Sequence, residues 1–218
     1  MERQAVKLSK PEAMIFDMDG TLFKTETLLI PVFHKVFDQL RKEGLYTGDT
    51  PPEELILSCL GMLLPDIWRR VIPNHDEQVH RRADDLLLEF ELEGLQQLAT
   101  ELYPQVAETL RELSARGVRL FVASNGLEHY VKGVAKAHGI ASLFEGLYSA
   151  GEYQTATKVD LVKLLLDQHG ITRAWMVGDR SSDVEAGKRN GLVAIGCAYA
   201  GFGDDRELAG SDVRIHSF

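Results

Sequence analysis

Apolar and polar positions along this chain change rhythm twice. Ala13-Met14-Ile15-Phe16 is a short continuous apolar run broken by Asp and Gly, which predicts a buried strand ending in a tight loop. From about Glu101 onward, apolar runs alternate with helical patterns. Leu102 to Arg116 predicts a helix, with Pro104 near its start and Gly117 past its end. Val118–Ala123 then predicts a strand, Leu127 to His138 a helix closed by Gly139, and Gly146 to Ser149 a short strand. Lys158 to His169 places Val159, Val162 and Leu165–Leu166 on one helical face, with Gly170 at its end. Ala174–Val177 is a strand, and Ser182 to Asn190 a helix in which Ser182 and Glu185 have capping-box spacing. Leu192 to Gly196 and Val213 to His216 complete the pattern as strands.

Apolar strands alternating with helices imply βαβ units, hence a doubly wound parallel α/β sheet of Rossmann-like character covered on both faces. Between Lys24 and Gly94 the rhythm is helical throughout. Leu28 to Glu43, Pro52 to Leu60, Leu64 to Ile72 and His75 to Glu93 are punctuated by Gly44, Gly48 and Pro51-Pro52. The expected organisation is an α/β core of residues 1–23 and 95–218, with a helical insertion of residues 24–94. The segments near Lys24 and Gly94 are the expected hinges.

Composition narrows the function. The chain has 218 residues, 44% hydrophobic and 26% charged, as a soluble globular protein has. With 24 basic and 33 acidic residues it carries a net charge of −9. That disfavours a nucleic-acid binder, which needs a basic footprint, and an attraction to anionic membranes. The apolar run after the polar start is too short for a signal peptide, and no stretch reaches about 20 apolar residues, so a cytoplasmic protein is expected. Cys59 and Cys197 form no metal or disulfide pattern and read as buried thiols.

Ligands of open α/β sheets gather beyond the carboxyl ends of the strands. Asp17 and Asp19 follow the first predicted strand. Ser124, Asn125 and Gly126 follow Val118–Ala123, and Gly178, Asp179, Arg180 and Asp183 follow Ala174–Val177. Carboxylates one residue apart repel unless a cation offsets them. An oxygen-only cluster without His or Cys suits Mg²⁺ rather than zinc. Ser124 and Asn125 read equally as helix caps and as phosphate-binding groups at a helix N-terminus. Lys158 sits in the first turn of its helix, where a cation opposes the macrodipole; local rules tend to be broken at functional sites.

Asp17-Met18-Asp19-Gly20-Thr21-Leu22, Ser124, Lys158 and Gly178-Asp179-Arg180-Ser181-Ser182-Asp183 together resemble the four motifs of the haloacid dehalogenase superfamily, in the family's order. The helical insertion resembles the helical (C1-type) cap of the subgroup that includes phosphoglycolate phosphatase and β-phosphoglucomutase relatives. The resemblance implies a phosphatase for a small phosphorylated metabolite. Asp17 would be the nucleophile, Asp19 the acid and base, and Ser124 and Lys158 the phosphoryl ligands, with Asn125 and Gly126 beside Ser124. Asp17, Asp19 (through its carbonyl), Asp179 and Asp183 would surround Mg²⁺, with Asp183 as ligand or anchor. A phosphomutase, or a non-catalytic metabolite-binding protein on the same fold, is the alternative. The chain is expected to be a monomer or dimer.

Arg180 stands where many relatives carry Ser, and Phe23-Lys24-Thr25-Glu26 where many capped relatives have an Asp-Ser pair; these departures leave the substrate open. Gly61-Met62-Leu63-Leu64-Pro65 resembles the substrate-selecting cap loop. Arg69, Arg70, Arg81 and Arg82 read first as a solvated face and second as anion ligands. His75 and His80 read as exposed helix residues, and Trp68 as cap core.

Overall fold

The computed structural model describes residues 8–62, 64–97, 100–201 and 206–218. Strands β1 (Ala13–Phe16), β2 (Arg119–Ser124), β3 (Gly146–Ser149), β4 (Ala174–Gly178), β5 (Val193–Cys197) and β6 (Val213–Ile215) form a six-stranded sheet in the order β3-β2-β1-β4-β5-β6. Every pairing is parallel, and β1 lies between β2 and β4. The chain winds outward from β1 in one direction and then returns to wind in the other. The crevice at that reversal, where ligands of such sheets bind, opens above β1 and β4.

Alternation on β1 explains the layers. Met14 and Phe16 enter one hydrophobic cluster with Val122, Tyr130, Val131 and Val134, while Ala13 and Ile15 enter another with Leu161, Val162, Leu165 and Met176. Helices α5 (Val106–Ala115) and α6 (Glu128–Ala137) therefore cover one face. Helices α7 (Ala150–Tyr153), α8 (Lys158–His169) and α9 (Ser181–Arg189) cover the other.

Before α5 come α1 (Glu26–Lys42), α2 (Glu53–Leu57), α3 (Leu64–Val71) and α4 (Glu77–Gln97). Leu28, Leu29, Val32, Phe33, Val36, Phe37 and Leu40 make one buried stripe on α1, which packs along α4. Trp68 is fully buried near Phe37 and donates its indole N–H to Asp84. The polypeptide leaves and re-enters the α/β layer at one place: Lys24 N donates to the Glu101 carbonyl at 2.9 Å, Tyr103 N to Leu22 at 3.0 Å, and Phe23 bridges Leu102.

Several expectations are corrected. Leu102 and Pro104 are not helical, because Leu102 is held in the bridge to Phe23; α5 begins at Val106. Gly94 lies in the interior of α4 and is buried, so this helix runs past its expected end at Glu93 to Gln97. His80 is buried and its ring bonds the Ile72 carbonyl at 3.0 Å, since helix α3 ends against that face. The α9 cap is not the Ser182–Glu185 box: Asp183 Oδ2 accepts from Arg180 N at 3.0 Å, two residues earlier. Helix α7 carried no signal longer than one turn. Cys59 and Cys197 are free and buried. No helix of the described residues is long and apolar enough to cross a membrane.

Candidate active site

Three strand ends supply the site. Asp17 follows β1, Ser124 ends β2, and Asp179 follows β4. The chain after Asp17 folds on itself, with Leu22 N and Phe23 N both donating to the Met18 carbonyl at 3.0 and 2.9 Å. Gly20 allows this turn. It has φ +74°, and a Cβ there would lie 2.4 Å from Asp179 Oδ2. The turn places Thr21 so that its hydroxyl donates to Asp179 Oδ1 at 3.1 Å.

Lys158 opens α8 beneath this turn. Its ammonium is buried and lies 2.8 Å from Asp17 Oδ1 and 2.6 Å from Asp183 Oδ1. Thr157 holds the helix start, its Oγ1 accepting from Asp160 N at 3.1 Å. Burial alone would make Lys158 easier to deprotonate. The attraction of Asp17 and Asp183 outweighs it and raises the ammonium's pKa.

Asp17, Asp179 and Asp183 are all buried, and one carboxylate oxygen of each lies within 4.8 Å of one from each of the others. Burial raises each carboxyl's pKa: Asp17 despite Lys158, Asp179 with added repulsion from Asp17 and Asp183, and Asp183 to about 6 despite Lys158. Both Asp183 oxygens are engaged, by Lys158 and Arg180 N. Asp179 Oδ2 is buried with no hydrogen bond, although the Arg180 guanidinium lies 3.5 Å away. One ammonium among three carboxylates, together with an oxygen lacking a hydrogen bond, is a donor set that fits a hard divalent cation.

Asp19 faces a different environment. It is half-buried, with Oδ1 accepting from Thr25 Oγ1 at 2.7 Å and from the Tyr130 hydroxyl. Burial raises its pKa, and these two hydrogen bonds oppose the rise. Ser124 is buried, its Oγ accepting from Gly126 N at 3.1 Å. Asn125 Nδ2 donates to the Gly61 carbonyl at 2.8 Å, and Arg180 Nη2 to the Leu57 carbonyl at 3.3 Å. Arg180 thus reaches from a strand end to the last residue of α2, and Asn125 to the loop after it.

A cavity of about 80 Å³ sits over these groups, lined by Asp17, Asp19, Ser124, Asn125, Gly126 and Lys158. Its far wall comes from the helical segment and includes Leu29, Ile56, Leu60, Gly61, Met62, Leu87 and Glu91. Of the loop that resembles a substrate selector, Gly61 and Met62 line the cavity; Leu63 lies outside the described residues. None of the four candidate arginines lines it. Arg69 pairs with Asp66 at 3.1 Å and Arg82 with Glu43 at 2.6 Å.

Sequence reasoning missed Thr21, Thr25, Tyr130 and Glu91. Thr21 and Thr25 flank the Asp-rich turn, so proximity was a usable signal. Tyr130 is 111 residues from Asp19, and Glu91 sits among Glu89 and Glu93 on a polar-looking helix, so neither had one.

A family model described as haloacid dehalogenase-like hydrolase matches residues 14–197. The chain is 28% identical over 223 residues to a phosphoglycolate phosphatase of Vibrio vulnificus, covering 97% of this chain and 92% of that one. It is 26% identical over 202 residues to the pyrophosphatase PpaX of Listeria monocytogenes, covering 88% and 85%. A haloacid dehalogenase-like family hydrolase from Streptococcus pneumoniae superposes with a TM-score of 0.80 at 21% identity over 96% of both chains, which shows a shared fold. The matched segment runs from β1 through β5 and contains every one of the strand-end carboxylates, and on this ground the chain belongs to the haloacid dehalogenase-like hydrolases.

Proposed function

We propose that this protein is a Mg²⁺-dependent phosphatase that hydrolyses a small phosphorylated metabolite through an aspartyl-phosphate on Asp17. The observation that carries the reading is the buried pairing of Lys158 with Asp17 beside an Asp179 oxygen that no hydrogen bond satisfies. A structural salt bridge needs no such extra carboxylates, and burying them costs stability. The relatives' names, phosphoglycolate phosphatase and pyrophosphatase, support hydrolysis of a phosphorus–oxygen bond.

In this reading Asp17 and Asp179 hold the ion through side chains and Asp19 through its carbonyl, with Asp183 anchoring Lys158. The ion supplies charge neutralisation and alignment at the phosphoryl group. An Asp17 oxygen attacks phosphorus and forms the acyl phosphate as the bond to the ester oxygen breaks. Protonated Asp19 gives its proton to that leaving oxygen. Its carboxylate then takes a proton from water, which attacks phosphorus and returns Asp17 and inorganic phosphate. The burial that raises Asp19's pKa favours the protonated start of this cycle. Ser124 Oγ and the main chain at Asn125 and Gly126 donate to the phosphoryl oxygens, and Lys158 offsets their charge. Residues 24–94 act as a cap over residues 1–23 and 95–218, and its closure excludes water.

The test is release of inorganic phosphate from a panel of phosphomonoesters that includes an activated aryl phosphate, with Mg²⁺ and with chelator. Release should require the metal, and Asp17→Asn should lower kcat by about 10³-fold or more. Release that persists in chelator or in Asp17→Asn would overturn the reading. Isomerised product without free phosphate would indicate a phosphomutase.

A further inference from the structure

Among the described residues, Lys158 is the one cationic side chain lining the cavity, and its ammonium is already paired with Asp17 and Asp183. The wall facing Asp17 has a different chemistry. Leu29, Ile56, Leu60, Met62, Leu87 and Leu88 make it apolar, and Asp84 and Glu91 add two carboxyl groups and no cation. Asp84 accepts the Trp68 indole N–H. Glu91 makes no hydrogen bond or ion pair among the described residues, and it lies near enough to Asp19 for the two charges to repel. A carboxylate on an apolar wall without a partner is costly, and a donor or cation brought by a ligand removes that cost.

A second anionic group on the substrate would face Asp84 and Glu91 with no cation to receive it. A ligand with apolar carbons and a positive end would meet complementary surfaces throughout. We propose that Glu91 is a specificity-determining residue that binds a protonated amine on the leaving group, so that the preferred substrate is the phosphate monoester of a short amino alcohol. This rests on the phosphatase reading above and adds the leaving group's chemistry to it. The phosphoryl group would sit at Asp17, the carbons against the leucines, and the ammonium at Glu91. Burial and the neighbouring Asp19 push the Glu91 carboxyl up to about 8; an ammonium beside it would reverse that rise.

The experiment compares kcat/KM for size-matched esters under Mg²⁺: 2-aminoethyl phosphate, ethyl phosphate and phosphoglycolate, with an aryl phosphate as reference. The aminoethyl ester should lead and phosphoglycolate should trail. In Glu91→Gln, which keeps shape and removes charge, the aminoethyl-to-ethyl ratio should fall about 30-fold. Glu91→Lys should invert the order toward phosphoglycolate. A wild-type preference for phosphoglycolate, or an unchanged ratio in Glu91→Gln, overturns the proposal. Hydrolysis of none of the esters, the aryl phosphate included, is a failure of the phosphatase reading instead. Calorimetric binding of the same three esters then decides the Glu91 proposal by the same order and the same change in ratio.

Discussion

A methyl group added at Gly178 would put its carbon 2.2 Å from Asp183 Cγ. Asp183 cannot swing away cheaply, because Lys158 and Arg180 N hold its two oxygens at 2.6 and 3.0 Å. Gly178→Ala should therefore destabilise the protein by about 1–3 kcal/mol and loosen Lys158, lowering kcat as well. Urea denaturation and steady-state kinetics on one preparation check both effects, and an unaffected variant would mean that Asp183 is not fixed as described. The same residue shows what could be read in advance. Asp17, Asp179 and Lys158 were legible because each violates a local expectation: paired charges at a strand exit, or a cation in a helix first turn. Tyr130 and Glu91 break no local rule, and only the fold brings them to Asp19 and its cavity.

At the level of elements, α8 was predicted at its observed bounds, Lys158–His169. Its capping Thr, apolar stripe and terminal Gly all lie within the helix or next to it. Thr157→Ala removes the hydroxyl that accepts from Asp160 N, and should cost about 1 kcal/mol. Because Lys158 is the next residue, kcat should fall more than thermal stability alone explains, and Thr157→Ser should restore both. Equal stability of Thr157→Ala and wild type in thermal unfolding would contradict this cap's importance. Elements whose ends are set by distant partners were less legible. The start of α5 moved because Leu102 pairs with Phe23, 79 positions earlier. Helix α7 is a single turn fixed by Ser149, whose Oγ accepts from Glu152 N at 3.1 Å.

Across the whole molecule, the carboxyl groups gathered at the cavity make stability depend on pH. Glu91 is pushed from the ordinary 4.5 up to about 8, by burial first and by Asp19 second. Between those values the folded protein keeps a proton that the unfolded chain has released. Stability therefore falls as pH rises across that window. Glu91→Gln removes this contribution, so the variant should gain on wild type steadily from about pH 4.5 to pH 8 and no further above it. Urea unfolding of both proteins at several pH values in chelator measures the difference. A constant difference would show that the Glu91 carboxyl is as well solvated in the folded state as in the unfolded one.

The sequence by itself determined the strands, the helical insertion and the strand-end residues that gather at the cavity. These follow from periodicity, turn residues and charge at close range, all of which act between neighbours along the chain. The tertiary structure decided which distant groups meet. It seats Tyr130 on Asp19, sends Arg180 to a carbonyl at the end of α2 and Asn125 to one in the loop after it, and keeps the candidate arginines off the cavity lining. It also makes the wall opposite Asp17 apolar and acidic. Those contacts depend on how helices of the insertion lie over the sheet, and that arrangement is set by buried side chains of both layers packing together.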